Sequence, residues 1–160
     1  MRQTGETLGP GAVFIVGVDL VKDQHLLQKA YNDKQRITAK FNLNLLTRIN
    51  RELGANFSVS AFEHHAFYNR EKSRIEMHLA SMKRQKVRLC GETIDFRAGE
   101  TIHTENSYKY SVESFRAMAR GAGWTPTAVW TDADRFFSVH VLSLRDEPDD
   151  GRSVDNDAAG

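Results

Sequence analysis

The sequence predicts a mixed α/β fold, and three observations predict it. A near-continuous apolar run, "AVFIVGV" (Ala12–Val18), reads as a strand covered on both faces. Two helical periodicities follow it between Asp23 and Leu53. From Ser73 onward the apolar period changes from about 3.6 to about 2, as in an antiparallel meander.

"GPGAVFIVGVDL" reads as a turn leading into the buried strand, with Asp19 at its carboxyl end. In open parallel sheets that edge is where ligands bind, although a plain turn cap is the simpler role for Asp19. A short helix is expected from Asp23 to about Tyr31 and a longer one from about Arg36 to Leu53. In the longer helix Ile37, Phe41, Leu45, Ile49 and Leu53 define the expected buried stripe, and Gly54 is placed to stop it. "SAFE" (Ser60–Glu63) matches a capping box and predicts another short helical turn.

"SRIEMHLAS" alternates, with Ile75, Met77 and Leu79 on one face and Arg74, Glu76 and His78 on the other. "QKVRLCG" and "ETIDF" predict two more strands joined near Gly91, and "AGE" a turn before the polar strand "TIHTENSYKYS". Ser111 can cap a helix reaching about Arg120, with Phe115, Met118 and Ala119 inward and Gly121 or Gly123 ending it. "WTPTAVWTD" and "RFFSVHVLSL" then read as two strands joined at "DAD".

The formal net charge of +1 gives no electrostatic bias toward nucleic acid or an anionic membrane. The basic residues are scattered, and the aromatics read as buried, so a nucleic-acid partner is not expected. The tail "DEPDDGRSVDNDAAG" (146–160) has six acidic residues and one arginine and is expected to be disordered. The single cysteine, Cys90, can form no internal disulfide, which fits a reducing cytoplasm. No apolar run reaches the length of a membrane span, and the N-terminus lacks a signal peptide's apolar core.

Several short patterns carry chemistry to be weighed. Glu105 and Ser107 in "TENS" project to one face of a strand, and Asn106 to the other. A carboxylate beside a hydroxyl can hold a flat group with two polar nitrogens, or can simply be a solvated strand face. Tyr31 at a helix end can be a packing aromatic or a pocket hydroxyl. His64 and His65 are adjacent, so on a strand they point apart, and no ligand partner stands at metal spacing beside them; no metal site is expected. "KRQKVR" (Lys83–Arg88) is read as a turn and a strand with a solvated face rather than a phosphate site. Walker, GxSxG and GxGxxG motifs are absent from the sequence.

Taken in order, "GVDLVKD" (Gly17–Asp23), "AYND" (Ala30–Asp33), "ITAKFNLNLL" (Ile37–Leu46), "NRELGANF" (Asn50–Phe57), "FEH" (Phe62–His64), "RIEMHL" (Arg74–Leu79), "AGETIHTENSYKYS" (Ala98–Ser111) and "WTD" (Trp130–Asp132) resemble the S-adenosylmethionine-dependent histidine-specific methyltransferase family. The likeness runs from Gly9 to about Leu144. It implies the carboxyl-terminal half of such an enzyme, acting on the α-amine of L-histidine to form the trimethyl betaine hercynine in ergothioneine biosynthesis. The implied fold is the C-terminal part of a Rossmann-like class I methyltransferase sheet with an α+β substrate-binding insertion.

The implied boundaries are 1–22 and 108–145 for the methyltransferase domain, 23–107 for the substrate domain and 146–160 for the tail. The resemblance places Glu105 and Ser107 around the substrate imidazole and Tyr31 at the substrate carboxylate. It makes Met77 a pocket wall and Thr38 a polar contact near the amine. It offers no catalytic base in this chain and places the S-adenosyl-L-methionine motifs upstream of it, so that the chain alone is expected to be inactive. A separate chain carrying the cofactor-binding half is then an expected partner. The rival expectation is a non-catalytic remnant or subunit acting as an interaction module.

Overall fold

The computed structural model describes residues 1–144; the acidic segment 146–160 lies outside the described residues. The chain forms two compact units, one made of Met1–Leu20 with residues 110 onward, the other of Val21–Lys109. The second unit is therefore contiguous in sequence and interrupts the first.

The first unit contains α1 (Arg2–Leu8), β1 (Val13–Asp19), α4 (Val112–Gly121), β7 (Trp124–Thr131) and β8 (Phe137–Leu144). Its sheet has the order β1-β8-β7, with both pairings antiparallel, so β1 and β7 run the same way. Ser111 starts α4 through a reciprocal capping box with Ser114, each side chain accepting from the other's backbone N–H. Phe115 and Ala119 face the core with Val18, Trp124 and Leu142, whereas Met118 lies outside it at the surface.

The first strand departs from the expectation of a run covered on both faces. Its exposure alternates, and Val13 and Ile15 are 61% and 67% exposed. Val16 and Val18 pack toward the core with Phe14 and Leu142, while Val13 and Ile15 occupy the opposite face. Register places Phe137 and Trp130, both exposed, on that same outer face. The apolar run thus serves two faces, of which α4 and its neighbours cover one. Asp19 ends the strand opposite Phe137, and its carbonyl accepts from Tyr110 N–H at 3.2 Å.

In the second unit, α2 (Gln24–Tyr31) starts on Asp23, whose carboxylate accepts from His25 and Leu26 N–H. α3 (Ile37–Leu53) starts over Asp33, which accepts from Ile37 and Thr38 N–H at 2.8 and 2.9 Å and is held below the usual carboxylate range by those two bonds. Gly54 ends α3 in the left-handed conformation, φ 64°. Asn50 then closes the loop on Phe57, accepting from its N–H and donating to its carbonyl.

The buried face of α3 is not the expected stripe. Ala39, Asn42 and Leu46 are buried with Leu43 and Ile49 partly so, while Ile37, Phe41, Leu45 and Leu53 are exposed. A spacing of four advances about 40° per step around a helix of about 3.6 residues per turn, so that stripe drifts off any one face. The true seam alternates threes and fours and includes a polar residue, Asn42, that an apolar count passes over.

A 3₁₀ turn, Val59–Ala61, precedes β2 (Phe62–Asn69), so Glu63 lies on a strand and "SAFE" is not a capping box. β3 (Arg74–Ser81) pairs antiparallel with β2 and with β6 (Thr101–Tyr108), in the order β2-β3-β6. β4 (Gln85–Leu89) and β5 (Glu92–Phe96) form a separate hairpin between β3 and β6 rather than two steps of one meander. Its two-residue turn, Cys90–Gly91, has both φ angles positive, 50° and 84°, as a tight twisted hairpin requires. Phe57, Phe62 and Phe96 stack around Leu46, Leu79 and Val87 and tie the hairpin to α3 and the sheet.

Two predictions come from the first unit. Its bare apolar face should make the 160-residue chain self-associate, and Ile15→Lys with Trp130→Lys should return it to a monomer. Sedimentation showing a wild-type monomer at all concentrations would contradict this. His140 is fully buried, with Nε2 3.0 Å from Ser138 Oγ, and burial followed by the Arg116 charge pushes its pKa below 6.5. The unfolded chain therefore binds the proton first, so this stability is complete above pH 6.5 and declines as pH falls below it. Thermal melts across that range should show the decline, reduced in His140→Gln.

Candidate functional site

The expected site residues lie in the second unit. β6 carries a bulge: its register against β3 shifts between Met77 and His78, so that Thr104 is the extra residue. Beyond the bulge Glu105 stands opposite Met77, Asn106 opposite Glu76 and Ser107 opposite Ile75. Glu105 and Ser107 thus share the face of buried Met77 and Ile75, which pack with Leu27 and Ala66 against Tyr31 and Tyr68. Asn106 faces away and accepts at Oδ1 from the His103 ring, 2.9 Å.

Tyr31, at the last turn of α2, meets Ser107 directly: its Oη donates to Ser107 Oγ at 2.7 Å. A residue that sequence reasoning missed completes the group. Lys109, only 2% exposed, donates from Nζ to Ser107 Oγ at 2.6 Å and to Tyr31 Oη at 3.1 Å. Its Nζ also lies 5.0 Å from the centroid of the Tyr31 ring. The available signal was the pleat itself, since 105, 107 and 109 continue one period-2 series.

Glu105 lines a groove with Phe41, Asn42, Leu45, Arg48 and Thr104, and makes no hydrogen bond or ion pair among the described residues. Thr104 Oγ1 donates to the Met77 carbonyl at 2.9 Å and pins the bulge. Met77 is a buried member of the apolar cluster and the cross-strand neighbour of Glu105. Thr38 is not brought to the Tyr31–Ser107 pair; its N–H caps on Asp33 and its hydroxyl reaches the Ala30 carbonyl at 3.5 Å.

His64 and His65 do point apart. Asn42 Nδ2 donates to His64 Nδ1 at 3.0 Å and to the His78 carbonyl at 3.2 Å. His64 Nε2 in turn lies 3.0 Å from the Tyr31 carbonyl, so its proton sits on that nitrogen. This chain of bonds fixes the end of α2 against the sheet.

On the opposite face of the sheet, Glu76, His78 and His103 bring three ligand-type atoms within 4.8 Å, a grouping that no local spacing revealed. Several of their polar atoms are already bonded. Glu76 Oε1 accepts from Arg74 and Asn69, Oε2 lies 3.4 Å from His78 Nε2, and His103 pairs with Asn106. The two imidazoles stack at 4.4 Å with planes 12° apart, which sets their lone pairs side by side rather than converging on one ion. Arg74 above all holds Glu76 down to about 2, and burial lowers His78. This is a structural ladder of stacked rings and charge-assisted bonds.

Among the described residues no helix is long and apolar enough to cross a membrane. Residues 1–144 match the sequence profile described as histidine-specific methyltransferase, SAM-dependent. The chain is 44% identical over 138 residues to the histidine N-alpha-methyltransferase of Mycolicibacterium smegmatis, covering 85% of this chain and 43% of that protein. The Mycobacterium tuberculosis protein of the same name is 45% identical over 136 residues, covering 84% and 42%. Ergothioneine biosynthesis protein 1 of Neurospora crassa is 30% identical over 141 residues, covering 86% of this chain and 16% of that one. The chain therefore spans less than half the length of these curated relatives.

The polar lock at Asn42 generates a prediction. Asn42→Ala should lower unfolding stability by about 1–3 kcal/mol, because it orphans a part-buried ring nitrogen and a part-buried carbonyl. Urea denaturation reads the change; a loss within error of zero would mean that water replaces the amide.

Proposed function

Because the chain belongs to the S-adenosylmethionine-dependent histidine-specific methyltransferase family, we propose that it supplies the substrate-binding part of an enzyme that methylates the α-amine of L-histidine to hercynine. The observation that carries this reading is the grouping of Tyr31, Ser107 and Glu105 on one face of the second unit. Glu105 and Ser107 take the two ring nitrogens, a carboxylate being a strong acceptor for an imidazole N–H. Tyr31, which the family resemblance puts near the substrate carboxylate, gives its one hydroxyl proton to Ser107 and so steadies the clamp, and Met77 lines the ring's place as an apolar wall. Thr38 is the weakest member, since its bonds are local.

The second unit is then the substrate domain. The first is the end of a Rossmann-like sheet, a reading supported by β1 and β7 running parallel across a reversed β8 with a helix on one face. Exposed, unpaired Cys90 fits a cytoplasmic setting. The described residues do not fit an S-adenosylmethionine site. Gly9 and Gly11 precede β1 instead of following a strand into a helix N-terminus, the arrangement that cradles a cofactor's phosphates or amino acid. The cofactor is accordingly assigned to residues outside this chain, either covalently continuous with it or on a companion chain. The bare face of β1, Trp130 and Phe137 favours such a companion over a free-standing interaction module.

The test is L-histidine affinity in the protein completed by a cofactor-binding half. Glu105→Ala should cost about 1.5–3 kcal/mol, roughly ten- to a hundredfold, and Ser107→Ala about 0.5–1.5 kcal/mol. Asn106→Ala should cost much less, since its side chain bonds His103 on the other face. Equal losses for Asn106→Ala and Glu105→Ala would overturn the clamp.

A further inference from the structure

We propose that Lys109 sets the polarity of the clamp, so that it binds the neutral imidazole in one tautomer and excludes the imidazolium. The inference rests on reading Glu105 and Ser107 as the imidazole clamp and adds a residue and a selectivity to it. Lys109 and Tyr31 both donate to Ser107 Oγ, at 2.6 and 2.7 Å. A serine oxygen has two lone pairs and one proton. Both lone pairs are taken, and a lysine ammonium can never accept in exchange. The direction of the Tyr31 bond follows from chemistry as well, because a phenol is a better donor than an aliphatic hydroxyl, and Tyr31 already accepts from Lys109. Ser107 makes no donor bond among the described residues, so its proton is what it offers a ligand.

The clamp therefore presents one acceptor, Glu105, and one donor, Ser107. A neutral imidazole carries one N–H and one bare nitrogen and satisfies both. An imidazolium carries two N–H groups, so one would face the Ser107 proton with the Lys109 cation behind it. A carboxylate by itself would prefer the cation; the buried lysine reverses that preference.

Lys109 is engaged by a further group besides Ser107 and Tyr31, and other groups around this corner include the following. β3 presents Ile75 and Met77, β2 presents Ala66 and Tyr68, and α2 presents Leu27 beside Tyr31. Arg48 of α3 lines the groove with Glu105. Asp33, Arg36, Glu63 and His64 line a second groove together with Tyr31, and His64 is bonded to Asn42 and the Tyr31 carbonyl.

The experiment is titration of the protein completed by a cofactor-binding half with ¹⁵N-ring-labelled L-histidine between pH 5 and about 8, against a free ring pKa of about 6.5. Wild-type affinity should rise about tenfold per pH unit below that pKa and then level off. The bound ring should show one N–H and one bare nitrogen in its ¹⁵N shifts. Lys109→Met frees a lone pair on Ser107, so its profile should flatten or reverse and the bound ring should keep its second proton at pH 5; Lys109→Arg should restore the wild-type slope. Tyr31→Phe removes the other donor and should flatten the profile too, which keeps the test open if Lys109→Met fails to fold. The same slope in His64→Gln assigns the titration to the ligand. A wild type that binds the imidazolium as well as the neutral ring, or a Lys109→Met that keeps the slope, overturns the role of Lys109 and leaves the clamp standing. L-histidine that does not bind, or binds regardless of Glu105→Ala and Ser107→Ala, overturns the clamp and this inference with it.

Discussion

A buried amide holds the second unit in one arrangement. Asn42 sits 3% exposed in the seam of α3, donates to a ring nitrogen on β2 and a carbonyl on β3, and through His64 reaches the carbonyl of Tyr31. Apolar packing alone is non-directional and tolerates a helix that slides or rolls on its sheet. Two directed bonds from one amide do not. They fix the depth and rotation of α3, and the His64 bond fixes where α2 ends, which is where Tyr31 must stand to meet Ser107. Asp33 adds the second constraint by capping α3 only two residues after Tyr31.

The sequence carried strands and turns more faithfully than helix faces, for a physical reason. Alternation in Arg74–Ser81 and the bulky residues flanking Gly91 report burial directly, because each strand residue has only two sides to choose from. α3 offers a full circle, and its apolar residues exceed what one face can bury. The choice between Ile37–Phe41–Leu45 and Ala39–Asn42–Leu46 is made by Asn42 finding its partners across the sheet, information that is not local. β1 failed in a related way: an apolar strand predicts two covered faces, but only one has a cover among the described residues.

At the site, the pairing of Glu105 with Ser107 was legible because the pleat is local. The bulge at Thr104 was not, although it matters. Without it, His103 and Asn106 would fall on opposite faces; with it, they bond, and the ladder of Glu76, His78 and His103 closes on that side. The contact of Tyr31 with Ser107 spans 76 residues and was given neither by pattern nor by family resemblance, which put Tyr31 at the substrate carboxylate. Lys109 continues the same pleat series, but a lysine at a strand end ordinarily reads as solvated, so its burial was not legible.

The two faces of the β2-β3-β6 sheet differ in how completely their hydrogen bonds are used. On one, Arg74, Glu76, His78, His103 and Asn106 bond chiefly to one another, and the result is a braced surface. On the other, Lys109 and Tyr31 spend their donors on Ser107, while Glu105 and the Ser107 proton remain unspent. Burying Lys109 is costly unless its charge is solvated by such oxygens. Lys109 is engaged by a further group as well, and its burial serves this corner by fixing Ser107. That burial is readily explained as the means of pointing one serine proton outward. A sheet that is braced on one side and aims an acceptor and a donor from the other is built to bind, on that side, a flat ligand that is itself half donor and half acceptor.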